Sequence, residues 1–487
     1  MSRAPARLTS SRYVTREHLI YLGLLLLVIV CAPMLLLPWP YCLAPFGLVL
    51  GGVFIFITLR HPIVGLYLYL IMFLIRPQEL FPDVSVLHYP YEKIIGIVVI
   101  ISLVFQYIVK GRKFELFDVE KGVLFVLGAA AISVIPAVWV GGAKTEFIIF
   151  FKIILACLFT ARIVNTERKF RAIMWLYIIS IGIIAVSSTY NYYSGSFESV
   201  MGIQRAIGSA GQEGSHSDPN SMAATLVLGM PFVLAMMKNR RSIAVKLLLA
   251  GLLMACLWTV VITGSRGGML GCIIMLFLIA VTSKHKTVAL IVGIVLVIGA
   301  AAVMPQQYVD RFSSIASYNE LDDGTGAAES AQGRIKGLMV GLEILLSRPA
   351  TGVGIGCFGV YNHEHHGSWL QPHNMVGQLA GELGFLGLIA FGYFIYKLTS
   401  NIKFVRSILR KDNRQKDFNF QMATAAWVAV ALLFFLGLFA HNLYRFNWYL
   451  IACFVAIMVR LVENRYRSTE VTANSDGLPT RYDDDIE

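Results

Sequence analysis

Apolar runs of about 17 to 22 residues recur along most of this chain, each long enough to cross roughly 30 Å of hydrocarbon as a helix. In lipid every backbone amide and carbonyl must find its partner within the protein, which dictates helices rather than open sheet. Fourteen such runs can be marked over the 487 residues, the third (63–75) being short. With 57% hydrophobic and only 14% charged residues, the composition excludes an ordinary water-soluble domain. The expectation is an all-α, polytopic integral membrane protein with about 12–14 transmembrane helices.

Charge fixes the orientation. With the N-terminus inside, the alternate loops carrying KGRK (110–113), RIVNTERKFR (162–171), KNRR (238–241), KHK (284–286) and KFVRSILRKDNRQK (403–416) all fall on the inner side. The net charge of +12 therefore reports topology and not nucleic-acid binding. The expected organisation is a basic N-terminus (1–18), N-terminal spans (19–189), an outer loop (190–220), central spans (221–303), a large outer loop (304–374), C-terminal spans (375–460) and a polar, disordered tail (461–487). The first apolar run lacks a small-x-small cleavage site and reads as a retained span.

Under this topology several polar residues, far apart in sequence, meet at the outer face. Arg205 lies in MGIQRAIGSAGQEGSHSDPN, Arg266 in TGSRGG, Arg334 in AQGRIKGLM and His373 in WLQPHNMVGQLAGELGFLGL. A guanidinium at the edge of hydrocarbon persists by snorkelling or by pairing with an anion. Arg266 sits among Gly264, Gly267 and Gly268 where the next helix begins, so a bound anion meets both a donor fork and the helix N-terminus. The plainer reading is a structural arginine at a helix junction, and for Arg205 a solvated one. Two arginines on one face suit a diphosphate, each taking oxygens bidentately.

His373, followed by Asn374 at the start of an apolar helix, is close to neutral at physiological pH and able to take a proton from a hydroxyl; the plain alternative is an interfacial or capping histidine. Glu382, buried in an apolar helix, either orients a neighbour or pairs with an arginine. Ile335, Leu338, Met339, Leu342, Leu345 and Leu346 recur at helical spacing over 332–347, which predicts an amphipathic helix on the outer surface with Arg334 at its start, facing headgroups or a lipid-linked phosphate.

Other patterns carry less. GxGxxG at 354–359 has no βαβ unit around it, so a dinucleotide site is not expected. His363, Glu364, His365 and His366 lack metal-ligand spacing and read as a solvated loop, and no metal or cofactor is expected. The seven cysteines lie mostly in apolar runs as small core residues, and a Cys42–Cys357 disulfide has no specific support.

TGSRGG, the Gly333-Arg334 pair before its helix, RPATGVGIGCFGVY and PHNMVGQLAGELGFLGL together resemble the bacterial O-antigen ligases and the related O-antigen polymerases and protein O-oligosaccharyltransferases, over roughly residues 200–400. RPQEL resembles exopolysaccharide-associated members. The resemblance implies a GT-C-like helical enzyme of the bacterial inner membrane, with its active site facing the periplasm and no metal requirement. It implies transfer of a whole glycan from a polyprenyl (undecaprenyl) diphosphate to an acceptor hydroxyl, on lipid A-core or another glycan. Arg205 and Arg266 would then hold the diphosphate and His373 would activate the acceptor, with Arg334, Asn374 and Glu382 in support. A polymerase would use the same donor site. A lipid-linked glycan transporter is the alternative of a different kind, and it requires polar residues deep in several spans, where Lys152 and Glu382 are the main cases.

Overall fold

The computed structural model describes residues 44–80, 91–110, 116–200, 203–208, 218–283, 285–313 and 327–475. The basic N-terminus, the first expected span (19–37), Cys31, Cys42, the DDGTG loop and the end of the tail lie outside the described residues.

The architecture is all-α, a polytopic helical membrane protein. The helices are α1 (Ala44–Arg60), α2 (Pro62–Leu74), α3 (Tyr91–Lys110), α4 (Asp118–Ser133), α5 (Val140–Ile163), α6 (Glu167–Tyr193), α7 (Pro219–Lys238), α8 (Ile243–Ile262), α9 (Arg266–Thr282), α10 (Lys286–Val303), α11 (Gln306–Ser313), α12 (Ala327–Ser347), α13 (Phe358–His366), α14 (Met375–Lys411), α15 (Phe418–Gly437) and α16 (Phe446–Ser475), with a four-residue turn of helix at Pro77–Leu80. Among the described residues seven of them (α3, α6, α7, α8, α14, α15 and α16) are long and apolar enough to cross a membrane. The α1–α2 pair is bent by 119° and makes an eighth if counted as one broken span, while α9 is a shorter apolar helix.

Several expected boundaries are corrected. The run 122–140 ends as helix at Ser133, and its last residues form the turn into α5. The final helix continues to Ser475, so the stretch from 461 to 475 of the tail expected to be disordered is helical. A two-stranded antiparallel hairpin, β1 (Glu198–Val200) and β2 (Ile203–Arg205), pairs Glu198 with Arg205 in the loop after α6, where water or protein can satisfy a sheet edge. The histidine-rich segment is not a loop but helix α13, with His363 stacked on Trp369 and His366 Nε2 3.1 Å from Glu343 Oε2.

The core lies where α7, α15 and α16 meet α6. Phe232, Tyr177 and Phe454 pack ring against ring there, and Ala and Gly positions let the helices approach. Apolar side chains also cover the outside, as at Ile108, Leu247 and Leu248, as expected where lipid replaces water.

α14 is broken. Gly384 has φ +62°, a left-handed conformation that only glycine adopts readily, and the helix interrupts there. The freed groups are taken up by the segment 349–354. Val353 and Gly354 N–H donate to the carbonyls of Gly381 and Glu382, while Phe385 and Leu386 N–H donate to Pro349 and Ala350. A Cβ on Gly352 would lie 2.2 Å from Gly381 O, so the glycine-rich motif serves backbone contact with a broken helix.

Candidate active site

Three helices begin at one place, each with a polar N-cap. Asp218 caps α7, accepting from Asn220 N and Ser221 N, with Ser221 Oγ also donating to it at 2.5 Å. Ser265 caps α9, its Oγ accepting from Gly268 N at 3.1 Å. Asn374 caps α14, its Oδ1 accepting from Val376 N and Gly377 N, and its Nδ2 donates to Leu438 O. Their N-termini carry partial positive charge toward a shared region, which favours an anion.

Arg266 occupies the first turn of α9. Gly264 before it has φ +59°, and Gly268 lets α9 approach α7, since a Cβ there would come within 2.7 Å of Ala223 Cβ. Arg266 is half-buried and close enough to Arg334 to act on it electrostatically: burial and then Arg266 depress the Arg334 pKa below the usual guanidinium value. The Arg334 guanidinium lies over the Phe439 ring at 5.3 Å. Two like charges this close, partly out of water, are costly unless something anionic lies between or beside them.

Arg334 reaches this place because α12 crosses the start of α14 at backbone contact. Gly337 and Gly341 on α12 face Pro372 O and Gly377 O, where Cβ atoms would come within 2.0 and 2.4 Å. Gly377 and Gly381 repeat the small-residue spacing on α14. The opposite face of α12 carries the apolar stripe, with Ile335, Met339, Leu342 and Leu346 exposed, Leu346 at 85%.

His373 sits one residue before the Asn374 cap, in the left-handed region at φ +43°, a strained conformation for a side chain of this size. Its ring centroid lies 5.4 Å from that of His441. Burial and then Arg334 lower the His373 pKa below its ordinary value, with Asp218 opposing. His441 is pushed down to about 4 by burial, Arg445 and His373, again against Asp218. Both imidazoles are therefore neutral at physiological pH and have proton-accepting capacity.

Arg205 stands apart. It lies on β2, only 6% exposed, and its Nε donates to Thr263 O at 2.8 Å while Nη2 donates to Asn220 Oδ1 at 3.0 Å. Glu198 on the paired strand lies 3.9 Å from its Nη1. Ala206 N and the Tyr308 hydroxyl both donate to Ile262 O, so strand and α11 together clamp the end of α8 where TGSRGG begins. The plainer alternative of a solvated arginine is corrected, for Arg205 is buried and bonded to the turn that carries Arg266.

Glu382 is 1% exposed, beside the break in α14, and faces the Tyr444 hydroxyl and the amides of Gly356 and Phe358. It is not joined to an arginine by any described ion pair. Cys357 is a buried free thiol.

Sequence reasoning overlooked Asp218, His441 and Arg445. His441 and Arg445 lie in HNLYR, a five-residue turn between two expected spans. Its His-Asn pair repeats that of His373-Asn374, and its arginine on the outer side was as anomalous as Arg266. The turn is held by Leu443 N donating to Gln378 Oε1 and by Tyr449 donating to Leu443 O. Asn220, Ser265, Gly267, Gly268, Arg334 and Arg445 line one pocket beneath the start of α9. Buried Asn442 Oδ1 and Asn447 Oδ1 at its edge have no hydrogen-bond partner among the described residues. Among those residues no group of three or more His, Cys, Asp or Glu is arranged to hold a metal ion.

Residues 250–392 match a family model described as O-antigen ligase, which takes in Arg266, Arg334, His373 and Glu382. No curated protein matches the chain.

Proposed function

With residues 250–392 supporting assignment to the O-antigen ligase family, we propose that the protein transfers a glycan en bloc from a polyprenyl (undecaprenyl) diphosphate to an acceptor hydroxyl at the outer, periplasmic face of a bacterial inner membrane. The observation that carries this reading is that Arg334 lines one pocket with Ser265, Gly267 and Gly268, the residues flanking Arg266 at the N-terminus of α9.

The chemistry needs little from the protein besides alignment and charge. A lipid diphosphate is already a good leaving group, and it brings its own bond energy to a compartment without nucleotide sugars. The acceptor oxygen forms a bond to the anomeric carbon as the bond from that carbon to the diphosphate oxygen breaks. The leaving polyprenyl diphosphate departs with the electron pair, and His373 takes the hydroxyl proton. Arg266, Arg334 and the α9 amides hold the charge that develops on the phosphate oxygen, an electrostatic role of about 3 to 4 kcal/mol per donor in comparable sites. Attack opposite the leaving group inverts the anomeric carbon. The arginines do the work that a divalent cation would otherwise do at a diphosphate, so transfer is expected to be metal-independent. Arg205 acts through the turn it braces, and Asn374 fixes the backbone of His373.

A ligase and a polymerase share this donor site and differ in the acceptor. The test is transfer by purified protein in lipid nanodiscs, with an undecaprenyl-diphosphate glycan and EDTA, offered lipid A-core or no second acceptor. One shifted acceptor band that depends on His373 is the expected result. A ladder without added acceptor establishes a polymerase, and absence of turnover with every acceptor overturns the enzyme reading and favours transport.

A further inference from the structure

A second cavity, of about 670 Å³, is lined by His441, whose ring neighbours that of His373. Its polar lining combines the carboxylates Glu92, Glu146 and Glu382 with the basic groups Arg76, Lys152 and Arg445, the amides Gln371 and Gln378, and His441, and Phe150 and Tyr444 supply ring faces. Arg445 lines both this cavity and the α9 pocket. His441 lines only the larger one of the two.

At this cavity His441 Nδ1 is buried and lacks a hydrogen-bond partner among the described residues. Glu382 and the Tyr444 hydroxyl pair with each other, and the Gly356 and Phe358 amides face the same carboxylate. Unsatisfied buried polar groups cost about 1–3 kcal/mol each and are retained where a ligand supplies the partner. A mixture of carboxylates, basic groups, amides and ring faces suits a ligand that both donates and accepts hydrogen bonds and presents apolar C–H faces, as a saccharide does.

The cavity continues into an apolar groove of about 280 Å³ between α2, α3 and α5, lined by Leu66, Gly96, Ile97, Ile100, Leu155 and Phe159. The two share Tyr69, Glu92 and Lys152. A headgroup in one and a hydrocarbon tail in the other defines an amphiphile. The charged residues at the junction, including the Lys152 noted in the sequence, thus border a polar-to-apolar boundary and do not form a string across the membrane.

We infer that this cavity and groove bind the acceptor, a membrane-anchored saccharide whose tail lies between α2, α3 and α5 and whose hydroxyl reaches past His441 to His373. This rests on the α9 pocket being the diphosphate site. The residues lie largely outside the matched 250–392 segment, on α2, α3, α5 and the 438–445 turn.

The test uses full-length protein in nanodiscs and an octyl glucoside carrying a diazirine in its alkyl chain as the probe, with an octanol diazirine as the sugar-free control. Binding of undecaprenyl diphosphate is measured in parallel. Ile153→Trp, which fills the cavity from α5, is expected to reduce sugar-dependent labelling of α2, α3 and α5 peptides at least fivefold and to leave undecaprenyl diphosphate affinity unchanged. Glu146→Gln, which preserves shape, is expected to reduce that labelling about threefold and guards against misfolding of the larger variant. Equal labelling by the sugar-free probe overturns the inference, as does weakened undecaprenyl diphosphate binding in Glu146→Gln. The diphosphate reading fails separately: it falls if Arg266→Ala binds undecaprenyl diphosphate as tightly as the parent protein, whatever the labelling result.

Discussion

Arg205 and Arg266 both lie at the turn that follows α8, and the sequence offers both as clamps for one diphosphate, yet the fold surrounds them differently. Arg205 is buried on a strand, with its donors committed to Thr263, Asn220 and Glu198. Arg266 is half-buried at a helix N-terminus with a second guanidinium nearby. Arginine stabilises structure where neighbours satisfy its fork, and binds anions where like charge is concentrated at a helix start. The comparison separates an arginine committed to neighbouring groups from the one that we propose binds the donor.

The largest effect expected is on Arg266. Arg266→Ala should lower transfer by about 10²–10³-fold, as removal of one oxyanion donor does elsewhere, with a melting temperature near that of the parent protein. His373→Ala should cost about 100-fold or more in turnover while donor binding persists, since the histidine moves a proton and the arginines hold the diphosphate. Arg205→Ala should act chiefly on folding, by about 1–3 kcal/mol for the buried partners it leaves unsatisfied, read as a lower melting temperature in detergent. If Arg205→Ala instead melts like the parent but loses donor affinity, the distinction between the two arginines collapses.

The smallest effect is on pH dependence. His373 works as a base only when neutral, and burial and Arg334 hold its pKa below the ordinary histidine value. Activity should therefore be flat above neutrality and fall on the acid side, with a midpoint below about 6.5. Arg334→Gln removes a cation that opposes protonation, so the acid limb should move to higher pH; Asp218→Asn removes an anion that favours it, so the limb should move to lower pH. These opposite displacements are checked in a rate profile from pH 4.5 to about 8.

Much of the architecture was legible because apolar length and basic loops are local properties. Runs such as 219–238 and 243–262 declare themselves by composition, and caps such as Ser265 and Asn374 sit where the periodicity begins. Arg266, Arg334 and His373 could be singled out because a polar residue at a hydrocarbon edge is anomalous by itself. What escaped depends on tertiary contact. The break at Gly384 needs the 349–354 segment to satisfy it, and the helix-like pattern continues through it. Whether Arg205 is solvated or buried is decided by Thr263, 58 residues away. His441 and Arg445 gained meaning only when the turn carrying them closed over α14, and the cavity they line draws on helices from both halves of the chain.

The most direct test of the central claim is equilibrium binding of undecaprenyl diphosphate to the purified protein in nanodiscs with EDTA, comparing the parent with Arg266→Ala. The account predicts metal-independent binding that weakens about tenfold or more in the variant, as loss of a charge-assisted bond implies. Equal affinity in the two proteins, or binding that disappears with EDTA in the parent, would contradict it.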